Sequence, residues 1–368
     1  MALAQSDEAA FYARADDPSA VLYNPAALSR ISGVQLMAGA NLTFFKGCID
    51  RLNPANPTGS QDDPSEAQYP EVCNGQRMSP VPNISLAWRV NKDIGIGLGV
   101  FAPSAFLGMS WGSTKDDSTY GTIENPDGSG GRIPVPTRYI LNEDKVVVVF
   151  PTLAVGVRPL KWLAFGASFA AGVMSAEFTQ TVRLGAPGEN ASGDVRTDLK
   201  VHDWFIPRVQ ASMLLMPHPN VDITFGVRIE DSIKASGDVH GVTALLGDSA
   251  PLDGTAKFNV PRPLWANFGI RYANRIAPEP EDPAEASKLS GRVEDPMSNE
   301  RWDIEADVVY ERNRVVDSLV TTVSDLGPNP LTGSNINTTI SLPHGWDDQW
   351  SIRAGSDWNI KPGNLRLV

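Results

Sequence analysis

The sequence predicts an all-β fold: a transmembrane antiparallel β-barrel with an N-terminal hatch. Three observations predict it. Most of the chain reads as long segments in which apolar and polar residues alternate with a period of two, the pattern of strands wet on one face. The connections between those segments alternate long and short. Ahead of the first strand lies a compact, turn-rich, mostly apolar stretch, Asp16 to Gly33, centred on Leu22-Tyr23-Asn24-Pro25-Ala26-Ala27-Leu28. Asn24-Pro25 marks a turn, because a residue before proline is pushed out of the helical region. A segment of this size cannot fold alone, and the strands that follow supply its walls. The division is a hatch over residues 1–32 and a barrel over 33–368.

Composition narrows the class. The 368 residues are 42% hydrophobic and 20% charged, which excludes a disordered chain. A net charge of −12 argues against a nucleic-acid partner, which requires a basic footprint. No apolar run approaches the roughly 20 residues of a membrane helix, but a barrel strand needs only about 9–11, alternately apolar. Ala2-Leu3-Ala4 before Gln5 looks like the end of a secretory signal, so the chain is expected to begin near a processing site. Cys48 and Cys73 fall in one loop, and an even pair in an exported protein suggests a disulfide.

Along the chain, Val34 to Phe45 is the first strand, with Leu36, Ala38, Ala40, Leu42 and Phe44 on one face. Gly47 to Pro80 is a long loop. Ile84 to Val90 and Ile94 to Phe101 are strands joined by the tight turn Asn91-Lys92-Asp93. Gly95, Gly97 and Gly99 share one face of the latter. Glycine in a strand marks either close approach of another backbone, here the hatch, or a kink without further meaning. Ser104 to Lys145 is a second long loop that opens on Phe106, Leu107, Met109 and Trp111. Val146 to Val157, Leu163 to Leu184, Leu199 to Met216 and Val221 to Glu230 are strands. Ser232 to Gly254 is mixed. Thr255 to Ala273 and Arg301 to Val323 are strands, then Gln349 to Ile360, and Leu365 begins another.

Segregated loop lengths are a property of membrane barrels, whose two ends face different compartments, and not of soluble sandwiches. Trp88, Tyr272, Trp302 and Trp358 share the outward parity at the short-turn end and predict an aromatic girdle. Asn274 to Glu300 departs from the pattern: it is long, Pro-rich and acidic where a short turn is expected. It reads as a solvated insertion or a partner's docking site. The complete strands number ten and an eleventh begins. Closed bacterial barrels have an even number, so the chain is expected to be incomplete at its C-terminus.

The run Asp17 to Phe45, with Leu22 to Leu28 at its centre, resembles the hatch and first strand of the FadL/TodX-like outer-membrane transporters of hydrophobic compounds. Gly95-Ile96-Gly97-Leu98-Gly99-Val100-Phe101-Ala102-Pro103 resembles that family's third strand, and Leu342 to Gly355, with Pro343-His344-Gly345-Trp346, a late strand and its approach. The resemblance implies fourteen strands, residence in the bacterial outer membrane, and passive uptake of long-chain fatty acids or similar hydrocarbons. It implies capture in an outer apolar groove, for which Phe106, Leu107, Met109 and Trp111 are the candidates. That same set could instead only pack loops together. It implies a pocket beside the hatch, at Phe11, Tyr12, Asn24, Pro25 and Ala26, and a lateral opening at Gly95, Gly97, Gly99 and Phe101. Hydrophobic small molecules and membrane lipid are then the partners, and no cofactor is implied.

Catalysis has little support. His202, His218, His240 and His344 are scattered without metal-ligand spacing, and there is no G-x-S-x-G elbow or phosphate loop. Two rivals remain: a surface-binding or adhesion barrel, and a barrel enzyme acting on lipid. Parity assigns Arg89, Arg208, Arg228, Glu230, Asn267, Arg271, Asp303, Glu305, Asp307, Arg353 and Asp357 to the interior, where charges of both signs pair across the lumen and anchor a plug.

Overall fold

The computed structural model describes residues 12–14, 17–52, 69–75, 78–102, 106–112, 122–124, 132–140, 142–183, 194–243, 252–275, 300–328, 333–343, 345–361 and 365–367. Phe11, His344 and most of the Asn274 to Glu300 link lie outside them. So do the side chains of Phe106 and Leu107.

A short helix, α1 (Ala20–Tyr23), and a 3₁₀ turn over Pro25–Arg30 precede the strands. Pro25 opens that turn, where its fixed φ fits and its missing N–H is no loss. In chain order come β1 (Val34–Phe44), the small hairpin β2 (Cys48–Ile49) and β3 (Val72–Cys73), then β4 (Met78–Arg89), β5 (Ile94–Phe101) and β6 (Phe106–Ser110). A second small hairpin, β7 (Thr122–Glu124) and β8 (Arg132–Pro134), leads to the longest strands: β9 (Glu143–Leu160), β10 (Leu163–Arg183) and β11 (Asp194–His218). There follow β12 (Val221–Glu230), β13 (Ile233–Thr243), β14 (Leu252–Val260), β15 (Trp265–Arg275), β16 (Glu300–Glu311) and β17 (Ser318–Ser324). The chain ends in β18 (Thr338–Pro343), β19 (Gln349–Gly355), β20 (Trp358–Lys361) and β21 (Leu365–Leu367).

Seventeen of these form one antiparallel sheet. From β1 the register passes through β4, β5, β9 and β10 to β11. Thereafter each pass of the wall is two strands in line. β11 pairs with β12 at the short-turn end and with β13 at the long-loop end. β12 continues to β15 and β16, and β13 to β14 and β17. The segment Ser232 to Gly254, expected as mixed, therefore holds a regular strand, β13, and the start of β14.

The breaks within these passes lie at one height: residues 231–232, 261–264 with Pro261 and Pro263, and 312–317. Registers such as Arg228 with Trp265, Ile233 with Val260, and Trp265 with Glu311 align them. A bulge in β11 near Asp203 to Phe205 and a lapse between β9 and β10 at Phe150–Pro151 extend the same line. A transverse crease thus crosses the wall.

Below the crease the outer face is apolar. Leu36, Leu86, Leu98, Leu153, Phe169, Val209 and Ile229 are successive cross-strand partners, and all are exposed. Trp88, Tyr272 and Trp358 are exposed at the short-turn end, with Trp302 between the last two, stacked on Trp358 and tilted against Tyr272. Trp204, Phe205 and Trp350 project outward at the crease. From Trp302 to Tyr310, the partner of Trp350, is about 27 Å of strand at ~3.4 Å per residue, or roughly 19–22 Å of height at barrel tilt. Above the crease the outward residues become charged: Lys145, Glu177, Lys200 and Asp238 follow one another across the strands. No described helix is long and apolar enough to cross a membrane.

Candidate functional site

The N-terminal segment sits on a bare patch of wall. Gly95, Gly156 and Gly166 are direct partners across β5, β9 and β10, so three adjacent strands present backbone without side chains. Pro25 to Ser29 lies against them. A Cβ at Gly95 would stand 1.9 Å from the Leu28 carbonyl oxygen, one at Gly156 2.5 Å from that of Pro25, and one at Gly166 2.0 Å from the Ala26 nitrogen. Gly97 makes room for side chains instead: its Cβ would meet Val21 at 2.3 Å. Ala20, Val21, Ala26, Ala27, Leu28 and Ile31 are buried there with Ala87, Phe101, Ala154, Ala164 and Leu214 of the wall. Gly95 and Gly97 face the N-terminal segment. Gly99 instead accommodates the ring of Phe101, 2.3 Å from where its Cβ would be. Gly156 and Gly166 escaped the sequence reading, although both share the inward parity on either side of the Lys161-Trp162 turn.

Polar wall residues fix the segment's position. Asn24, fully buried, donates from Nδ2 to the Tyr12 carbonyl at 2.7 Å and to Thr224 Oγ1 at 3.0 Å. The Ala26 N–H donates to Ser212 Oγ at 2.9 Å, and Gln210 Nε2 to the Tyr23 carbonyl at 2.9 Å. Glu305 accepts from the N–H groups of Ala13 at 2.7 Å and Arg14 at 3.1 Å, and Asp307 from that of Tyr12 at 3.3 Å. The ring of Tyr12 packs on Trp265 at 5.1 Å and Tyr23 at 5.7 Å. Arg14 pairs with Asp357. Nearer the short-turn end, fully buried Asp222 is met by Arg30 at 3.3 Å, Arg271 at 3.3 Å and Arg275 at 2.9 Å, and Arg271 also binds Asp303 and Glu300. Removing one partner from such a network would strand a buried charge. The parity-derived interior set is found inside: Arg208 pairs with Glu230 at 2.7 Å, Arg228 lies over Trp265 and Arg353 over Tyr12. Arg89 differs, since it closes its own turn by donating to the carbonyls of Asn91 and Lys92.

Above the segment the inner face changes character. Val148, Phe150, Ala170, Met174, Ala176, Val195, Leu199, Val201 and Ile206 form one buried apolar cluster with Ile233, Val239, Leu252 and Leu326. Phe178 and Phe258 face each other at its margin, 5.4 Å apart. Sequence reasoning did not find this lining. Its signal was an apolar residue at both parities in Val146 to Phe150 and Leu163 to Met174, which leaves no polar face for a watery lumen.

At the long-loop end Cys48 and Cys73 are disulfide-bonded and directly opposite in the β2–β3 hairpin. That hairpin places Val72 beside Met109, Trp111 and Val135, with Ile49 and Ile123 around them. Met109 and Trp111 are only 9% and 7% exposed, so they form the core of the loop layer, not the wall of an open groove. Arg51 ties the layer together: it donates to the Pro136 carbonyl at 2.7 Å and lies over the rings of Tyr69 and Tyr139. Burial, and after it the hydrogen bond to Asp194, raises the Tyr139 phenol above its ordinary pKa.

No protein-family model matches the chain, and no curated protein matches it in sequence. Solved structures do resemble it. A FadL homologue of Pseudomonas aeruginosa aligns over 97% of this chain and 76% of its own, with TM-score 0.64 and 14% identity. The Pseudomonas putida toluene transporter TodX aligns over 93% and 76%, with TM-score 0.59 and 16% identity. The CymD monoaromatic hydrocarbon channel aligns over 95% and 76%, with TM-score 0.56 and 14% identity. The chain has the fold of the FadL/TodX-like barrels.

Proposed function

We propose that this protein is a channel of the bacterial outer membrane that takes up hydrophobic compounds, long-chain fatty acids or similar hydrocarbons, by passive diffusion. The observation that carries the reading is the apolar lining above the N-terminal segment: where the outer face of the wall is charged the inner face is hydrophobic, and such an interior offers nothing to a hydrated solute. Burial of an alkyl chain there contributes about 0.8 kcal/mol per methylene, so a handful of methylenes suffices for capture. The neighbours support the substrate class, since they include a toluene transporter and a monoaromatic hydrocarbon channel.

In this reading residues 1–32 are a hatch that blocks the straight path, seated on glycines and held by Asn24, Glu305 and Asp307. The substrate enters past the loop layer of Phe106, Leu107, Met109 and Trp111, whose core opens to admit it. It lodges beside Phe11, Tyr12 and Asn24-Pro25-Ala26, and leaves sideways near Gly99 and Phe101. No covalent step and no cofactor is needed. The test is uptake of labelled oleate and toluene by cells carrying the full-length protein. Both should enter faster than into cells without it, with no dependence on an energy source. Equal rates with and without the protein would refute the proposal.

A further inference from the structure

Above the crease the outer face of the wall is hollow, where a barrel surface is ordinarily convex. A recess of about 650 Å³ crosses β9, β10, β11, β13 and β14 there. Two rows of outward residues floor it. Lys145, Glu177, Lys200 and Asp238 are successive cross-strand partners, and above them run Glu143, Thr179, Asp198, His240 and Asp253. Thr179 donates to Asp198 at 2.7 Å and His240 Nδ1 lies 2.6 Å from Asp253, so the upper row's carboxylates are held in place. The lysine contacts are looser. Lys145 Nζ lies 3.6 Å from Glu143 and 3.8 Å from Glu177, and Lys200 Nζ lies 3.8 Å from Glu177, both side chains being exposed. Exposed pairs of this kind contribute little to stability, and each ammonium keeps N–H donors for a further acceptor.

Two neighbours of the recess bear on what fills it. At its foot, on the crease, His202 stacks on Trp204 with ring centroids 5.3 Å apart, and Trp204 is 75% exposed. An indole at a membrane surface offers an apolar face beside a wet edge, on which a sugar ring can lie. Below the crease, β9 and β10 also border a second hollow, of about 480 Å³, which is apolar and lined toward the lipid by Leu98, Val100, Leu153 and Phe169. From Lys145 to Pro151, at the edge of that hollow, is about 20 Å of strand at ~3.4 Å per residue, or roughly 14–17 Å of height at barrel tilt.

We propose that the two hollows form one binding site for a phosphorylated glycolipid of the outer leaflet, a lipopolysaccharide. Its acylated phosphodisaccharide fills the upper recess, with phosphates on Lys145 and Lys200 and sugar hydroxyls on the carboxylates, and an acyl chain fills the lower hollow. The inference rests on the outer-membrane reading and is independent of what the channel carries. Height, width and chemistry select this occupant. The recess begins where the outer aromatics end, on the long-loop side, which in such barrels faces the exterior. Five strands span about 19 Å at ~4.8 Å per strand, wider than the head of a glycerophospholipid. Lys145 and Lys200 stand two strands apart and suit two phosphates. Glu143, Asp198 and Asp253 would repel a head that carried phosphate alone, but they accept from hydroxyls.

The test uses full-length protein purified in mild detergent. It is titrated with lipid A, with dephosphorylated lipid A and with phosphatidylethanolamine, and retained lipid is read by native mass spectrometry. Lipid A should bind at least tenfold more tightly than either of the others. Lys145→Ala with Lys200→Ala should weaken lipid A binding at least tenfold and Trp204→Ala several-fold, while Lys92→Ala, at the short-turn end, should bind as wild type. Oleate uptake by cells carrying these variants should equal wild type, since the substituted side chains lie on the outer face or in a turn. Phosphatidylethanolamine bound as tightly as lipid A overturns the inference, as does unchanged lipid A affinity in the double variant. Uptake no faster than in cells without the protein overturns the transport reading alone. Should the double variant not assemble, wild type decides through the phosphates: equal affinity for intact and dephosphorylated lipid A overturns the inference.

Discussion

Gly166 is defined by the space it leaves. Backbone, not side chain, occupies that space, and backbone cannot step aside by changing rotamer. Gly166→Val should therefore cost about 1–3 kcal/mol by overpacking or expel the segment from its seat. The expected outcome is cleavage near residues 12–31 by a protease that leaves wild type intact, together with heat-resistant migration lost at lower temperature. Gly99→Ala provides the contrast. It meets only the Phe101 ring, which can rotate, so folding should stay near wild type while the ring is displaced. Asn24→Ala removes two buried donor contacts, to Tyr12 and Thr224, and should destabilise the seated segment by ~1–3 kcal/mol, read by the same protease assay.

Among the elements, the β2–β3 hairpin shows how much a loop can owe to one covalent link. Intact protein should weigh two hydrogens less than its reduced form and offer no alkylatable thiol without reduction. Closing 25 residues of chain contributes on the order of 3 kcal/mol, so Cys73→Ser should loosen the loop layer and raise quenching of Trp111 fluorescence by an aqueous quencher. The sequence disclosed elements according to how well their periodicity survived. β1 and β5 were legible to within a residue, and β4 and β16 by their alternation, but β4 begins at Met78, inside the expected loop Gly47 to Pro80, and β16 ends at Glu311, well short of the expected Val323. β13 was not legible. Its outward residues, Lys234, Ser236, Asp238 and His240, lie above the lipid belt and are polar, and its inward ones alternate with glycine at Gly237 and Gly241, so the strand lacks the apolar outer face and the β-branched run that mark the others. The inward lining at Phe150 was hidden for the opposite reason, since both faces there are apolar. The seat of the N-terminal segment was half legible: Gly95 and Gly97 in β5 announced it, but Gly156 and Gly166 become part of it only once the strands are registered side by side. Burial of Met109 and Trp111 depends on a hairpin joined across distant loop residues, which no local pattern reveals.

For the whole molecule the decisive contrast is vertical. Below the crease charged and polar wall residues, beside a small apolar patch, hold the N-terminal segment; above it the interior is apolar. Glu305 tests the clamp, because it receives two backbone N–H groups of the N-terminal segment. Glu305→Ala should free residues 12–14 and speed amide exchange throughout the segment, while the lipid-facing strands exchange as in wild type. If the segment stays as protected as before, the glycine seat alone holds it and the carboxylates serve the wall.

The crease also decides what shape the molecule can take. Continuous strands transmit curvature from one rim to the other, so a barrel that is round at the bottom is round at the top. Here β9, β10 and β11 run through the crease unbroken, and from β12 onward paired segments meet end to end along one latitude, through Pro261 and Pro263 and residues 312–317. On that side only single chain crossings join the upper wall to the lower. The upper wall there is free to take its own curvature, steadied by three strands that span both levels. In architectural terms it is a hinged panel hung from a post, and the joint lies at the outer aromatic belt.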